Sequence, residues 1–146
     1  NGNHNWNFEA INNAQGTDAI YLTFSEDYKG DKVLPFIVGF YTMLIKAHGG
    51  KKEFYVFDSV DPQMLYNASR NIETAVWKLS NTKDSSGKFF LLANEINEKE
   101  SNLSFEREFG KIIGRTDFLA FTLSEKTERS ITRIIQNVTT GLLIPF

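Results

Sequence analysis

The chain has 146 residues, 41% of them hydrophobic and 23% charged, and a net charge of −2. That length suits one domain able to bury a real core, and the near-neutral balance excludes the strongly basic face of a nucleic-acid binder. The absence of cysteine excludes disulfides, thiolate nucleophiles and cysteine-based zinc sites, and it fits a cytoplasmic setting.

The chain opens on Asn1 rather than methionine and is read as a piece of a longer protein. Residues 1–17 hold six asparagines in the first thirteen positions and only scattered Trp6, Phe8 and Ile11, the pattern of a linker or arm that could dock its aromatics. Residues 18–146 form the expected domain. Ala19-Ile20-Tyr21-Leu22-Thr23-Phe24 is rich in β-formers and reads as a buried first strand, followed by a polar loop, 25–32. Val33 to Ala47 is apolar nearly all round, tolerates Pro35 in a first helical turn and stops at Gly49-Gly50, so it reads as a helix. It is too short and too interrupted to span a bilayer.

Residues 52–59 read as a second strand. Asp61 then stands where an N-cap belongs and Pro62 at the first helical position; Leu65, Ala68, Ile72, Ala75 and Leu79 follow at helical spacing. Residues 88–94 read as a third strand, 105–113 as a short helix ended near Gly114, and Asp117 to Leu123 as a fourth strand. Ile131, Ile134, Ile135 and Val138 mark a last helix, and Leu142-Leu143-Ile144-Pro145-Phe146 a fifth, edge strand. Alternation of strands and helices predicts an α/β fold, a doubly wound, mostly parallel five-stranded sheet with helices on both faces. Ligands in such sheets bind beyond the strands' carboxyl ends.

On this pattern the chain resembles the universal stress proteins, a Rossmann-like family. The residues that carry the likeness are Phe24-Ser25-Glu26 after the first strand, the helix 33–47, Gly49-Gly50, and Val56-Phe57-Asp58-Ser59-Val60-Asp61-Pro62. In the last third they are Asp117 to Thr122, the Ile-x-x-Ile-Ile stripe and Gly141 to Phe146. The resemblance implies a ligand cleft at Thr23, Phe24, Ser25, Asp58, Thr122, Ser124, Lys126 and Arg129. It also implies a homodimer through the final strand, Leu142, Leu143 and Ile144, which would cover an otherwise exposed edge. The family's ATP-binding aspartate falls on Thr23, however, and its glycine-rich phosphate loop has no counterpart, there being no glycine from Thr122 to Ile135. Glycines let backbone N–H groups cradle phosphate, and here two glutamates, Glu125 and Glu128, stand instead. No cofactor, ATP included, is therefore expected.

His4 in the arm and His48 beside Gly49 offer no triad, and the chain has no Gly-x-Ser-x-Gly elbow. Glu26, Asp27 and Asp31 are weighed as a hard-cation site and read instead as a solvated acidic loop with an incidental cap. The expectation is a non-catalytic regulatory or interaction domain in a stress response. It would sit on the cytoplasmic side of a larger protein such as a cation/proton antiporter, whose membrane transporter domain would be attached. The alternative is a stress protein binding ATP, AMP or another small molecule.

Overall fold

A computed structural model describes residues 5–51, 60–91, 104–133 and 138–146. Among them the architecture is helical: α1 is Gly16–Thr23, α2 Val33–Ala47, α3 Pro62–Asn81 and α4 Ser104–Thr127, with 3-10 turns at Glu9–Ile11 and Val138–Thr140. The only β pairing among the described residues is one antiparallel bridge between Lys83 and Phe89. The expected five-stranded sheet, and with it the Rossmann-like, universal-stress-protein layout, is therefore corrected to a helical fold.

The α2 and α3 expectations hold. Asp61 caps α3, its Oδ1 accepting from Gln63 N at 3.0 Å with Pro62 at the first position, so an orphan donor of the first turn is satisfied. Leu65, Ala68, Ile72, Ala75 and Leu79 are all buried along one face.

The other elements differ for identifiable reasons. Residues 19–24 are β-formers by type, yet 16–23 coil into α1, whose buried residues Ala19, Ile20 and Thr23 share one helical face. Six residues are too few for period to separate a strand from two helical turns. The expected helix 105–113 and strand 117–123 are one helix. Phe109, Thr116 and Ala120 are buried, with Ile112, Ile113, Leu119 and Leu123 packed against the core, so the stripe runs on through Gly114 at helical spacing. Gly114 is exposed and faces nothing within 4 Å; it is a tolerated glycine on the outer face, not a stop.

Ile131 to Arg133 are non-helical, and of the expected last helix only the turn Val138–Thr140 is helical among the described residues. Residues 52–59 and 92–94, assigned to strands two and three, lie outside the described residues, and 88–91 carry only the single bridge.

Residues 142–146 have no regular secondary structure and pair with side chains rather than a strand. Leu143 N donates to Tyr21 Oη at 2.7 Å and Ile144 N to Asn71 Oδ1 at 2.6 Å, while Asn71 Nδ2 donates back to Ile144 O at 3.0 Å. The homodimer expected through Leu142, Leu143 and Ile144 is corrected accordingly. Two of the three residues are already paired within the chain, and Leu143 is buried in its core.

α1 packs on α2 and α3 on α4, with α2 against α3 joining the pairs. The centre is aromatic. Phe36 lies 4.5 Å from Phe40 and 6.0 Å from Phe109 between ring centroids, and Phe40 lies 5.1 Å from Phe109. Edge-to-face and tilted rings at these separations add to their area burial. No helix of the described residues is long and apolar enough to cross a membrane.

Candidate functional site

A cleft of about 790 Å³ lies where the first turn of α1 meets the end of α2. Its construction starts with Gln15, whose side-chain amide gathers the preceding segment: Nε2 lies 3.2 Å from Asn5 O, 3.3 Å from Trp6 O and 2.9 Å from Asn7 Oδ1. This places Trp6 on Tyr41 of α2, with ring centroids 4.0 Å apart and planes 30° apart. Ile11 below them is fully buried, so residues 5–15 are fixed to the helices rather than loose.

Gly16, at φ +54°, turns the chain into α1 in a conformation that only glycine adopts without strain. Its N–H donates to Thr42 Oγ1 at 2.7 Å, and that hydroxyl donates on to Val38 O at 2.6 Å. The α1 start is thereby tied to the middle of α2. Ile45, Lys46 and Gly49-Gly50 complete the wall on that side, and Phe146 closes it, with Lys46 Nζ 5.7 Å from its ring centre. The cleft thus offers aromatic faces at Trp6, Tyr41 and Phe146, hydroxyl and amide groups at Thr17, Thr42 and Gln15, and opposite charges at Asp18 and Lys46. Such a mixture of flat apolar walls and a few polar groups is how small-molecule sites are built.

The residues expected to form the ligand cleft fall elsewhere. Thr23 is the buried last residue of α1, its Oγ1 donating to Ala19 O at 3.3 Å. Phe24 caps α1 and packs edge-on against Phe36 and Phe90, with Lys78 Nζ 5.0 Å from its ring centre. Burial between these groups lowers the Lys78 pKa from its ordinary value. The carbonyl of Ser25 accepts from Lys32 Nζ. Thr122, Ser124 and Lys126 lie on the last two turns of α4, and Arg129 follows, its N–H reaching Ser124 O at 3.1 Å while Ser124 Oγ donates to Arg129 O. These serve as helix ends and core packing. Asp58 lies outside the described residues.

Of the three loop carboxylates, Glu26 accepts from Ser85 N and Ser85 Oγ at 2.7 and 2.8 Å. Asp31 Oδ1 accepts from Val33 N at 2.9 Å at the start of α2. Among the described residues no three of His, Cys, Asp and Glu stand together as metal ligands would. His48 closes α2, its Nδ1 2.7 Å from Leu44 O.

A second charged cluster lies between α3 and α4. Arg70 Nη2 pairs with Asp117 Oδ2 at 2.5 Å and Nη1 with Glu73 Oε2 at 3.3 Å, above the Tyr66 ring. Burial raises the Glu73 pKa; Arg70 opposes that shift and Asp117 reinforces it. The cluster has no adjoining cavity among those described and reads as an interhelical tie.

The chain matches no protein-family model, no curated protein and no solved structure. The resemblance to universal stress proteins therefore rests on sequence pattern alone. The cleft is not legible from the sequence because its parts are weak singly: Trp6 in a polar arm, Gln15, and Tyr41 within an apolar helix. The available signal is Trp6 itself, a large aromatic in a polar segment with only Phe8 packed edge-on beside it locally.

Proposed function

We propose that this chain is a non-catalytic binding module whose cleft between α1 and α2 holds a planar, hydrogen-bonding small molecule. The observation that carries the reading is the Trp6–Tyr41 stack, with ring centroids 4.0 Å apart, on the border of a cleft of about 790 Å³. Aromatic rings favour a planar partner through offset stacking, and Asp18 and Thr17 supply an acceptor and a hydroxyl among the lining residues. The volume falls in the range of about 300–1,000 Å³ usual for small-molecule sites. A cytoplasmic setting belongs to the same proposal and is supported by a chain of 146 residues without cysteine.

The test is a thermal-shift titration with adenosine, AMP, nicotinamide and indole, each to millimolar concentration, on the wild type and on Trp6→Ala. A ligand at ten times its Kd stabilises by about 1.4 kcal/mol, which is roughly 4–6 °C in Tm for a domain of this size. At least one probe is expected to raise the wild-type Tm in a saturable way and to lose most of that effect in Trp6→Ala. Flat titrations with all four, or equal shifts in the variant, would refute the reading.

A further inference from the structure

Residues 142–146 are held by side chains of α1 and α3 that grip their backbone, as well as by the packing of Leu143 and Phe146. Asn71 is fully buried in α3. Its amide uses both ends on one residue, accepting from Ile144 N at 2.6 Å and donating to Ile144 O at 3.0 Å. That double exchange is what a residue on a neighbouring antiparallel strand performs, so Asn71 acts as a one-residue strand offered by a helix. It reads backbone and is indifferent to the side chain at that place. Tyr21 Oη takes the preceding N–H, from Leu143, at 2.7 Å.

Side-chain selection is confined to two places: Leu143 is buried at 8% exposure, and Phe146 lies against Lys46. Leu142 is 65% exposed, and Pro145 is exposed too. Proline suits that place because its ring favours an extended backbone and it has no N–H to satisfy. Gly141, at φ +64°, gives the segment a sharp start that a side chain would strain.

We propose that this groove is a peptide-recognition site of which residues 142–146 are the resident, displaceable occupant. Its trans ligand is an extended apolar segment of a partner protein with the pattern Leu-x-Pro-Phe. The segment seated in the groove supplies that chemistry directly. A vacated groove would leave the buried Asn71 amide without its backbone partners, so an incoming backbone is drawn to it. The resident segment competes at an effective concentration on the order of millimolar, so the site shows itself only when that segment is released.

The experiment uses the full chain. Leu143→Asp places a charge at the buried position and releases the segment. A fluorescein-labelled peptide of sequence Gly-Leu-Leu-Ile-Pro-Phe is then titrated by anisotropy. Leu143→Asp is expected to bind it at least tenfold more tightly than the wild type, and a peptide N-methylated at its isoleucine, with the same side chains but no N–H, is expected to lose that binding. Equal binding by wild type and a folded Leu143→Asp, or full binding of the N-methyl peptide, overturns the proposal. If Leu143→Asp does not fold, amide exchange on the wild type decides. Exchange of the Leu143 and Ile144 N–H groups at least tenfold faster than the slowest amides of α2 and α3 upholds a displaceable segment, and exchange only through global unfolding overturns it. A wild-type dimer built by trading residues 142–146 between copies would make the occupant a second copy and also overturn it.

Discussion

Gly39→Ala sets two physical effects against each other. Gly39 is buried in the middle of α2 against α1. A Cβ there would lie 2.7 Å from Ile20 Cγ1, 2.8 Å from Gly16 O and 2.9 Å from Ile20 N. Two of those three atoms are backbone and cannot rotate away, so α1 must move outward by about half an ångström in a close-packed interior. Overpacking of this kind costs about 1–3 kcal/mol. Helix propensity pulls the other way, since alanine is better than glycine in a helix interior by roughly 0.8–1 kcal/mol. Because two of the obstructing atoms are backbone the clash falls in the upper half of its range, about 2–3 kcal/mol, and it wins by about 1–2 kcal/mol, or roughly 3–8 °C in Tm.

Far-UV circular dichroism melts would measure it, with Gly110→Ala and Gly114→Ala on α4 as controls. A Cβ at either control site meets nothing within 4 Å, so propensity acts alone and both variants are expected to melt a few degrees higher. A rise in Tm for Gly39→Ala alongside the controls would show that α1 does not lie against α2 at this glycine. Moving α1 also disturbs the Gly16 to Thr42 hydrogen bond at 2.7 Å, so a change in Trp6 fluorescence should accompany the loss.

Two further outcomes test other parts of the fold. Asp61→Ala removes the side-chain acceptor for Gln63 N and is expected to cost about 1 kcal/mol, with Asn or Ser at the same place restoring most of it in denaturant melts. Glu73→Gln tests the charge balance beside the Arg70–Asp117 tie. Burial holds the Glu73 pKa above its ordinary value despite Arg70, so folding favours the protonated acid. That contribution is full below the ordinary glutamate pKa and is lost as pH rises through the raised value. The variant is therefore expected to exceed the wild type in Tm at pH 7 and to converge with it below about pH 4. A difference that stays constant over that range would refute the assignment.

Local signals in the chain suffice for α2 and α3. Val33–Ala47 and Pro62–Asn81 are long enough for their apolar period, cap and stops to agree, and local signals need no partner to be read.

Tertiary structure decided the rest. Ala19 to Phe24 and Asp117 to Leu123 carry β-forming residues, and their helical state comes from packing. Ile20 fits the gap at Gly39, and Phe109, Thr116 and Ala120 keep one continuous stripe against α3. Propensity differences of a few tenths of a kcal/mol per residue give way to burial worth about 1.5–3 kcal/mol per large side chain.

The cleft was hidden for a related reason. Trp6, Gln15, Thr42 and Phe146 are far apart in sequence and gain meaning only when Gln15 gathers residues 5–7 onto α2. Asn71 is the sharpest case: a polar residue within an amphipathic helix reads as solvent-facing until the fold lays a backbone against it. Which polar group meets which backbone is fixed by long-range contact, and no local pattern encodes it.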